Sequence, residues 1–544
     1  MLKRIREAVA DWRVLCIPFA VLLAVIPLVV RANWRAVHAM TDTTYPEASL
    51  VQIGLWAAQS GHLYPSLADP PFTPAPHGPA YYELLRLLAT PFPRDFQALA
   101  VKARLISLLA FTLMCFELAL ISQRLGMSRW ISAIPALLVF TNAEFYPWAA
   151  TTRPDVMALL MNATGILLFT WHKDISFKRI MVAGLFAGSA VVFKQSMAAA
   201  GLAIAVTCLL YRRWKELAVF CVSAAAIPVA VIASSALQHE PVFEELFLMR
   251  YVAKDLHSEL WRLADLFSDN PWLVLLVVAG MWGGLIIWKA NSLQSRVLVL
   301  YCGFAWAIGL TTMLNVGANT NYLLEGWLAL AMLAAFAVEE IRRRWGELSE
   351  AIRYALLALL LSSTCWQASE TFSLKLELSD LDPNVLELVQ GKRVFSDVPY
   401  VAAHGIDPEF LDAYTSNHLE IRHMWSPISL LDEIQRRRFD LVILYYVGGK
   451  LGRPFRGYYC LSSDIQNAIE THYKPQCVLK GDSLLLLVRN DSANAAERNP
   501  RIEQACSASS LGTRSDLSIL EGTRPIGGPA RIRTWDQRIM SPLL

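Results

Sequence analysis

An acidic turn near the amino terminus, Asp42-Thr43-Thr44-Tyr45-Pro46-Glu47, follows an apolar run and precedes a helix-patterned stretch ending at Gly61-His62-Leu63-Tyr64. A carboxylate at a membrane surface is ordinarily just solvated. One at the root of an amphipathic segment lying on the bilayer faces a cavity between lipid and water, where it can act on a lipid-borne substrate. Further along, Thr151-Thr152-Arg153-Pro154-Asp155 sets a guanidinium beside an acid. Arg153 has the planar fork that matches phosphate oxygens, while Pro154 and Asp155 suit the first turn of a helix. Lys194-Gln195 interrupts an apolar stretch from Ile180 to Leu210, and a lysine at membrane depth must snorkel, pair or contact an anion. The segment Gly317–Glu325 places two amides (Asn319, Asn321), the Tyr322 phenol and the Glu325 carboxylate at the mouth of a span. Each has a plain structural counterpart: capping for Asp155, snorkelling for Lys194, an ion-pair partner for Glu325.

The elements that hold these residues are membrane helices. With 55% hydrophobic and 17% charged residues over 544 positions, the chain is too apolar for a soluble multidomain protein. A formal charge of +3 without one basic patch does not call for nucleic acid. About eleven apolar runs long enough, or nearly so, to cross a bilayer lie near residues 14–31, 102–122, 130–145, 156–171, 180–193, 196–211, 216–236, 271–288, 297–314, 323–338 and 352–368. The pair at 180–193 and 196–211 also reads as one broken or re-entrant element. Lys/Arg clusters fall at alternate ends of the runs, from Lys3/Arg4/Arg6 to Arg342/Arg343/Arg344. By the positive-inside rule the amino terminus is cytoplasmic and everything after about residue 369 is outside. The first run lacks a small-residue cleavage site and reads as a retained anchor.

The same alternation puts loop 32–101, the turn Asn142–Asp155, the Lys194-Gln195 break, loop 237–270 and Asn315–Glu325 on the outer side, which argues for one outward-facing cavity. Within loop 32–101, Leu50, Ile53, Leu55 and Trp56 recur at helical spacing, so Ser49–Ser60 is expected to lie in the interface. A proline-dense stretch, Pro70–Pro79, leads to a second helical segment at Ala80–Leu88. The membrane module therefore spans 1–368. Residues 369–490 read as a small α/β domain, with strands at Arg393–Asp397, Phe439–Tyr446, Gln476–Lys480 and Ser483–Val488 and helices at Ser426–Arg438 and Ser463–Thr471. Ser426 is the expected cap of the first of these helices. Residues 491–544 are polar and irregular and read as a disordered tail. Of nine cysteines, Cys460 and Cys477 are candidates to pair in an oxidising outer compartment, leaving Cys506 over.

The order of Tyr45-Pro46-Glu47-Ala48, Pro76-His77-Gly78-Pro79-Ala80-Tyr81-Tyr82-Glu83-Leu84-Leu85, Thr151–Asp155, Phe193-Lys194-Gln195-Ser196 and Ala318–Glu325 resembles bacterial GT-C glycosyltransferases. The nearest group is the integral-membrane set related to lipid A aminoarabinose transferase and protein O-mannosyltransferases, including lipopolysaccharide-core transferases. The resemblance covers roughly residues 10–340 and implies a polytopic, mainly helical GT-C bundle. It also implies sugar transfer from a polyprenyl-phosphate carrier on the non-cytoplasmic face of the bacterial inner membrane, with an acid of the first outer loop at the active site. The usual dipeptide there is Asp-Glu; this chain has Pro46-Glu47. Glu47 inherits the role, and Asp42 stands in for the absent aspartate. Pro76-His77-Gly78-Pro79 matches a lysine-proline-proline-like motif, which puts His77 where a phosphate-contacting lysine is expected. Lys194 and the pair Arg153/Asp155 match the family's membrane break and its Arg-Pro-Asp opening.

The implied chemistry is displacement at an anomeric carbon. Glu47 takes the proton of the acceptor hydroxyl, Arg153 and Lys194 stabilise the departing lipid phosphate, and Asp155 orients Arg153 or binds substrate. Tyr45, Asn319, Asn321, Tyr322 and Glu325 are the candidate substrate contacts. Two acids can share a divalent metal with phosphate oxygens, although no ligand spacing requires one. The partners are a polyprenyl-phosphate sugar, a cell-envelope acceptor and membrane lipid. The rival classes are a transporter or lipid flippase with Lys194, Glu325 and Asp155 along its path, and a non-catalytic scaffold.

Overall fold

The computed structural model describes residue 7, residues 9–502 and Cys506, apart from 45–46, 67–71, 92–93, 143, 173, 248–255, 316–317, 374–382, 407–412, 422, 448–449, 452–453, 456–457, 460, 480–483 and 491–500. Each expected apolar run falls on helix. Among the described residues, six helical stretches are long and apolar enough to cross a membrane unaided: Trp12–His38, Phe96–Arg124, Trp214–Leu237, Pro271–Lys289, Leu293–Met313 and Thr320–Glu347. The shorter apolar helices Arg129–Phe140, Asp155–Thr170 and Ala199–Leu210, with Phe177–Phe193 and Glu350–Ser373, account for the other runs. The chain is a multi-pass membrane protein. We name α1 (Cys16–His38), α2 (Glu47–Ser60), α3 (Pro79–Ala89), α4 (Phe96–Arg124), α5 (Asp155–Thr170), α6 (Phe177–Phe193), α7 (Ala199–Leu210), α8 (Trp214–Leu237) and α9 (Leu324–Arg344).

Sequence sets how deep each helix sits. The outward side chains of α8 are apolar and exposed, Val222, Val229 and Leu237 among them, as lipid contact requires. Helix α9 is buried almost throughout, and its alanines at 329, 331, 334, 335 and 337 let neighbours approach closely. The stretch 180–210 is two helices, α6 and α7, broken at Lys194, whose backbone is extended (φ −148°, ψ 117°). The break exposes helix ends at the level of the polar motifs.

The loop 32–101 departs from expectation. Helix α2 does not present one polar and one apolar side: ten of its fourteen residues are buried, on every side of the helix. It packs on α3 and α4 and, through Leu50, Val51 and Ile53, joins one apolar cluster with Val389, Tyr400, Ile443 and Leu486 of the C-terminal domain. An amphipathic pattern records which face is most apolar, but it does not record that a distant domain covers the rest.

That domain contains the strands β1 (Val394–Ser396), β2 (Leu441–Val447), β3 (Tyr473–Leu479) and β4 (Leu484–Arg489), in spatial order β1-β2-β4-β3, with Lys450–Leu451 folding back on β2. β1 runs parallel to β2, pairing Val394 with Leu441; the β2–β4 and β4–β3 pairings are antiparallel. Strand alternation divides the sheet between two cores. Leu441, Ile443, Leu484, Leu486 and Val488 face α2 and α3, while Val442, Leu444, Leu485 and Leu487 face the helices Ile428–Gln435 and Ser463–His472. Ser426 is not the cap of the former; Pro427 takes that place without a side-chain bond. Phe72 of the first outer loop is buried in this second core beside Phe395, Leu419 and Trp425, with φ at +51°. A bulky residue in that region is a backbone outlier that only surrounding packing sustains.

Two expectations at the carboxyl end change. Cys477 pairs with Cys506, whereas Cys460 lies outside the described residues. Ile502 is buried in the first core, so the ordered domain reaches past 490; 507–544 lie outside the described residues.

Candidate functional site

The acidic turn and the Thr151–Asp155 turn are docked on each other. Thr44 Oγ1 meets Thr151 Oγ1 at 2.8 Å, and the Thr152 amide donates to Glu47 Oε1 at 2.6 Å. Glu47 is the first residue of α2 and is fully engaged. Oε1 also accepts from Arg104 Nε at 2.8 Å, and Oε2 accepts from Arg104 Nη2 at 2.8 Å, the Thr43 amide at 2.7 Å and the Thr43 hydroxyl at 2.7 Å. Arg104, buried on α4, spends its other donors on the carbonyls of Ala39 and Thr41. Burial works against ionisation of Glu47, but the Arg104 charge and these hydrogen bonds outweigh it and hold the carboxyl below its usual range. A carboxylate with five donors around it and a lowered proton affinity suits a structural anchor better than a base. Asp42 keeps a partly open surface and holds the α2 root through Oδ1, which accepts the Ala48 amide at 2.7 Å. Tyr45 lies outside the described residues.

Arg153, Asp155, Lys194, Asn321 and Tyr322, from three separate stretches of sequence, meet at the break between α6 and α7. Asp155, wholly buried at the start of α5, accepts from Lys194 Nζ and, at 2.7 Å, from Asn321 Nδ2 through Oδ1; Arg153 Nε approaches Oδ2 at 3.3 Å. Lys194 does not snorkel: it is buried, with Nζ 4.3 Å from the centre of the Tyr322 ring. Arg153 lies 5.2 Å over the Trp148 ring.

His77 belongs to the same neighbourhood. Gly78 packs so tightly on the end of α6 that a Cβ there would fall 1.7 Å from the Val192 carbonyl oxygen, and Gln195 Nε2 donates to the Pro76 carbonyl at 2.8 Å. Burial, reinforced by the Arg153 charge, lowers His77 to a pKa of about 3, so the imidazole is neutral. On the far side of this loop, Glu240 receives the Leu63 and Tyr64 amides at 2.7 and 3.0 Å, and Glu245 receives the Ala75 amide at 2.8 Å.

The remaining candidates separate. Glu325 is buried under the site, its Oε1 accepting from Asn162 Nδ2 at 2.6 Å. Asn319 turns to its own backbone, accepting the Thr320 amide at 2.6 Å as a cap. Among the described residues no three His, Cys, Asp or Glu side chains gather as a metal site.

Three polar atoms within this sequence neighbourhood are buried without a protein partner: Thr152 Oγ1, Ser196 Oγ and Asn321 Oδ1. Orphaned polar atoms are costly and few in native proteins; the Thr152 and Ser196 hydroxyls, one and two residues from Arg153 and Lys194, can donate to an anion, whereas Asn321 Oδ1 can only accept. Arg104, Thr152 and Ser196 were not among the sequence candidates. Arg104 was detectable, as a cation inside an apolar run deserves the scrutiny given to Lys194; the two hydroxyls carry no such signal.

No family model matches the sequence, and no curated protein matches it. Solved structures do. ArnT from Cupriavidus metallidurans in its apo state superposes with a TM-score of 0.54 at 14% identity, covering 86% of this chain and 97% of that one. The same protein bound to undecaprenyl phosphate gives 0.55 at 14% identity, covering 87% and 98%. The oligosaccharyltransferase AglB from Archaeoglobus fulgidus, in complex with an inhibitory peptide and a dolichol-phosphate, gives 0.50 at 10% identity, covering 78% and 69%. Over 86–87% of its length the chain has the fold of these GT-C membrane glycosyltransferases.

Proposed function

We propose that the protein transfers a sugar from a polyprenyl-phosphate donor to a cell-envelope acceptor, with the amino terminus cytoplasmic and the C-terminal domain on the outer face of the bacterial inner membrane. One observation carries the reading: Arg153 and Lys194 converge on the single carboxylate of Asp155, with the unpartnered hydroxyls of Thr152 and Ser196 close to them in sequence. Arg153, Lys194 and Asp155 together leave one positive charge, which a phosphate would neutralise. The scaffold supports it, since ArnT has been solved with undecaprenyl phosphate and AglB with a dolichol-phosphate.

In the proposed step, the acceptor oxygen forms a bond to the anomeric carbon as the bond from that carbon to the phosphate oxygen breaks. The electron pair leaves with the polyprenyl phosphate, held by Lys194 and Arg153. The acceptor proton passes to a carboxylate. We assign that role to Asp42, because Glu47 would have to surrender Arg104 to accept a proton. Asp155 positions the cations, Glu47 anchors the loop, and the neutral His77 contacts the donor phosphate by hydrogen bonding.

The test is release of polyprenyl phosphate from a labelled donor by the purified protein in proteoliposomes. Cleavage that is lost in Lys194→Met and Asp42→Asn, with both variants folded, supports the assignment. Donor movement across the bilayer without cleavage would overturn it in favour of a transporter.

A further inference from the structure

We propose that a cleft in the C-terminal domain, separate from the cationic cluster, binds the saccharide portion of the acceptor; this rests on the transferase reading above. The cleft has a volume of about 660 Å³ and opens between the end of the helix Ala413–Ile421, the following turn and Ser462. That is within the range of roughly 300–1,000 Å³ usual for small-ligand sites.

Its chemistry selects the ligand. Asn417, Glu420, Ser426 and Ser462 offer an amide, a carboxyl and two hydroxyls, a donor and acceptor set matched to sugar hydroxyls. Glu420 and Ser462 lie within hydrogen-bonding reach of each other in the lining, so carboxyl and hydroxyl are presented together as a preset acceptor and donor pair. Burial, with the Asp464 charge nearby, raises Glu420 above the usual carboxylate range. Among the described residues the lining has no Lys or Arg and one imidazole, His423, and inorganic phosphate enters the test below as the competing ligand. Ile421 and Met424 are exposed apolar edges against which the C–H face of a sugar ring can lie.

The cleft is also joined to the donor side. Leu419 and Trp425, which bracket the turn, pack in the same core as Phe72, and Phe72 belongs to the loop that carries His77. A saccharide seated here is held by the domain that clamps the catalytic loop.

The experiment uses the full-length protein in detergent and two readouts. One is equilibrium binding of fluorescently labelled oligosaccharides released by mild acid from bacterial envelope glycolipid, with inorganic phosphate as a competitor. The other is release of polyprenyl phosphate without acceptor. Saturable binding that phosphate does not displace, and that weakens at least tenfold in Glu420→Gln and in Met424→Trp, supports the site, provided donor cleavage is unchanged. Met424 is an exposed rim residue, so its replacement blocks the cleft without emptying a core. Undiminished binding in both variants overturns the proposal, as does wild-type protein that cleaves donor yet binds none of the saccharides. Variant-sensitive binding without donor cleavage would sink the transferase reading and leave the saccharide site standing.

Discussion

Two buried ionic clusters lie within one docked pair of turns and are built oppositely. Around Glu47 and Arg104 the charges cancel, and both carboxylate oxygens are filled by protein donors. Around Asp155 there are two cations for one acid, and the nearby Thr152, Ser196 and Asn321 atoms are left unfilled. The lesson is that burial of an acid beside a base does not identify a catalytic site. The informative quantity is what the protein leaves unsatisfied: the closed cluster is complete in itself, and the open one is the place proposed for the donor phosphate.

The sharpest way to break this contrast is Glu47→Gln. Its amide sets N–H against Arg104 and strands a buried cation, which should cost about 3–5 kcal/mol, read as a lowered unfolding temperature in detergent. Wild-type stability with lost turnover would return Glu47 to the chemistry. For the open cluster the expectation is reversed. Lys194→Met should lower turnover by about 10²–10³-fold, the size of losing one preorganised charge donor, while the fold persists because Asp155 keeps Arg153 and Asn321. Equal losses of stability in the two variants would erase the distinction.

A pH series separates the clusters further. His77 has its affinity for a proton lowered from 6.5 to about 3, so the unfolded chain binds the proton first. Stability from this group is complete above pH 6.5 and declines toward pH 3, by up to about 1.4 kcal/mol per pH unit. His77→Gln should flatten the curve between pH 6 and pH 5. Glu47, also lowered, acts in a more acidic window: its contribution is full above its ordinary value of 4.5 and falls away below it. Unfolding temperatures of the wild type, His77→Gln and Glu47→Gln from pH 8 to pH 3 would check both signs.

The smallest effect is the most discriminating. Thr152→Val removes a buried hydroxyl that has no protein partner, so stability should hold or rise by up to about 1 kcal/mol. Donor KM should rise by about tenfold if that hydroxyl meets the substrate, equivalent to about 1.4 kcal/mol. An unchanged KM would make the orphan atom a packing accident.

Much of this frame is legible in the sequence, for reasons that differ by element. The apolar runs mark helices because a membrane demands them, and the Val/Leu alternation of β2 and β4 marks strands. Arg153, Asp155, Lys194 and Asn321 are visible as polar groups placed where polar groups are expensive. The pairing of Glu47 is not visible, because its partner Arg104 is far along the chain and nothing local to the turn reports it. The true partner of Cys477 and the deep burial of α2 were hidden likewise: each depends on what a distant segment covers.

The placement of Phe72 bears on when the protein can work. Its side chain is buried among Phe395, Leu419 and Trp425, residues made long after the first outer loop has left the ribosome. At roughly 5–20 residues per second, the wait for that pocket is on the order of tens of seconds. During this interval the loop bearing His77 lacks its clamp. The order of synthesis thus acts as a timer: the loop bearing His77 cannot complete its packing until the C-terminal domain that holds Phe72 has been made.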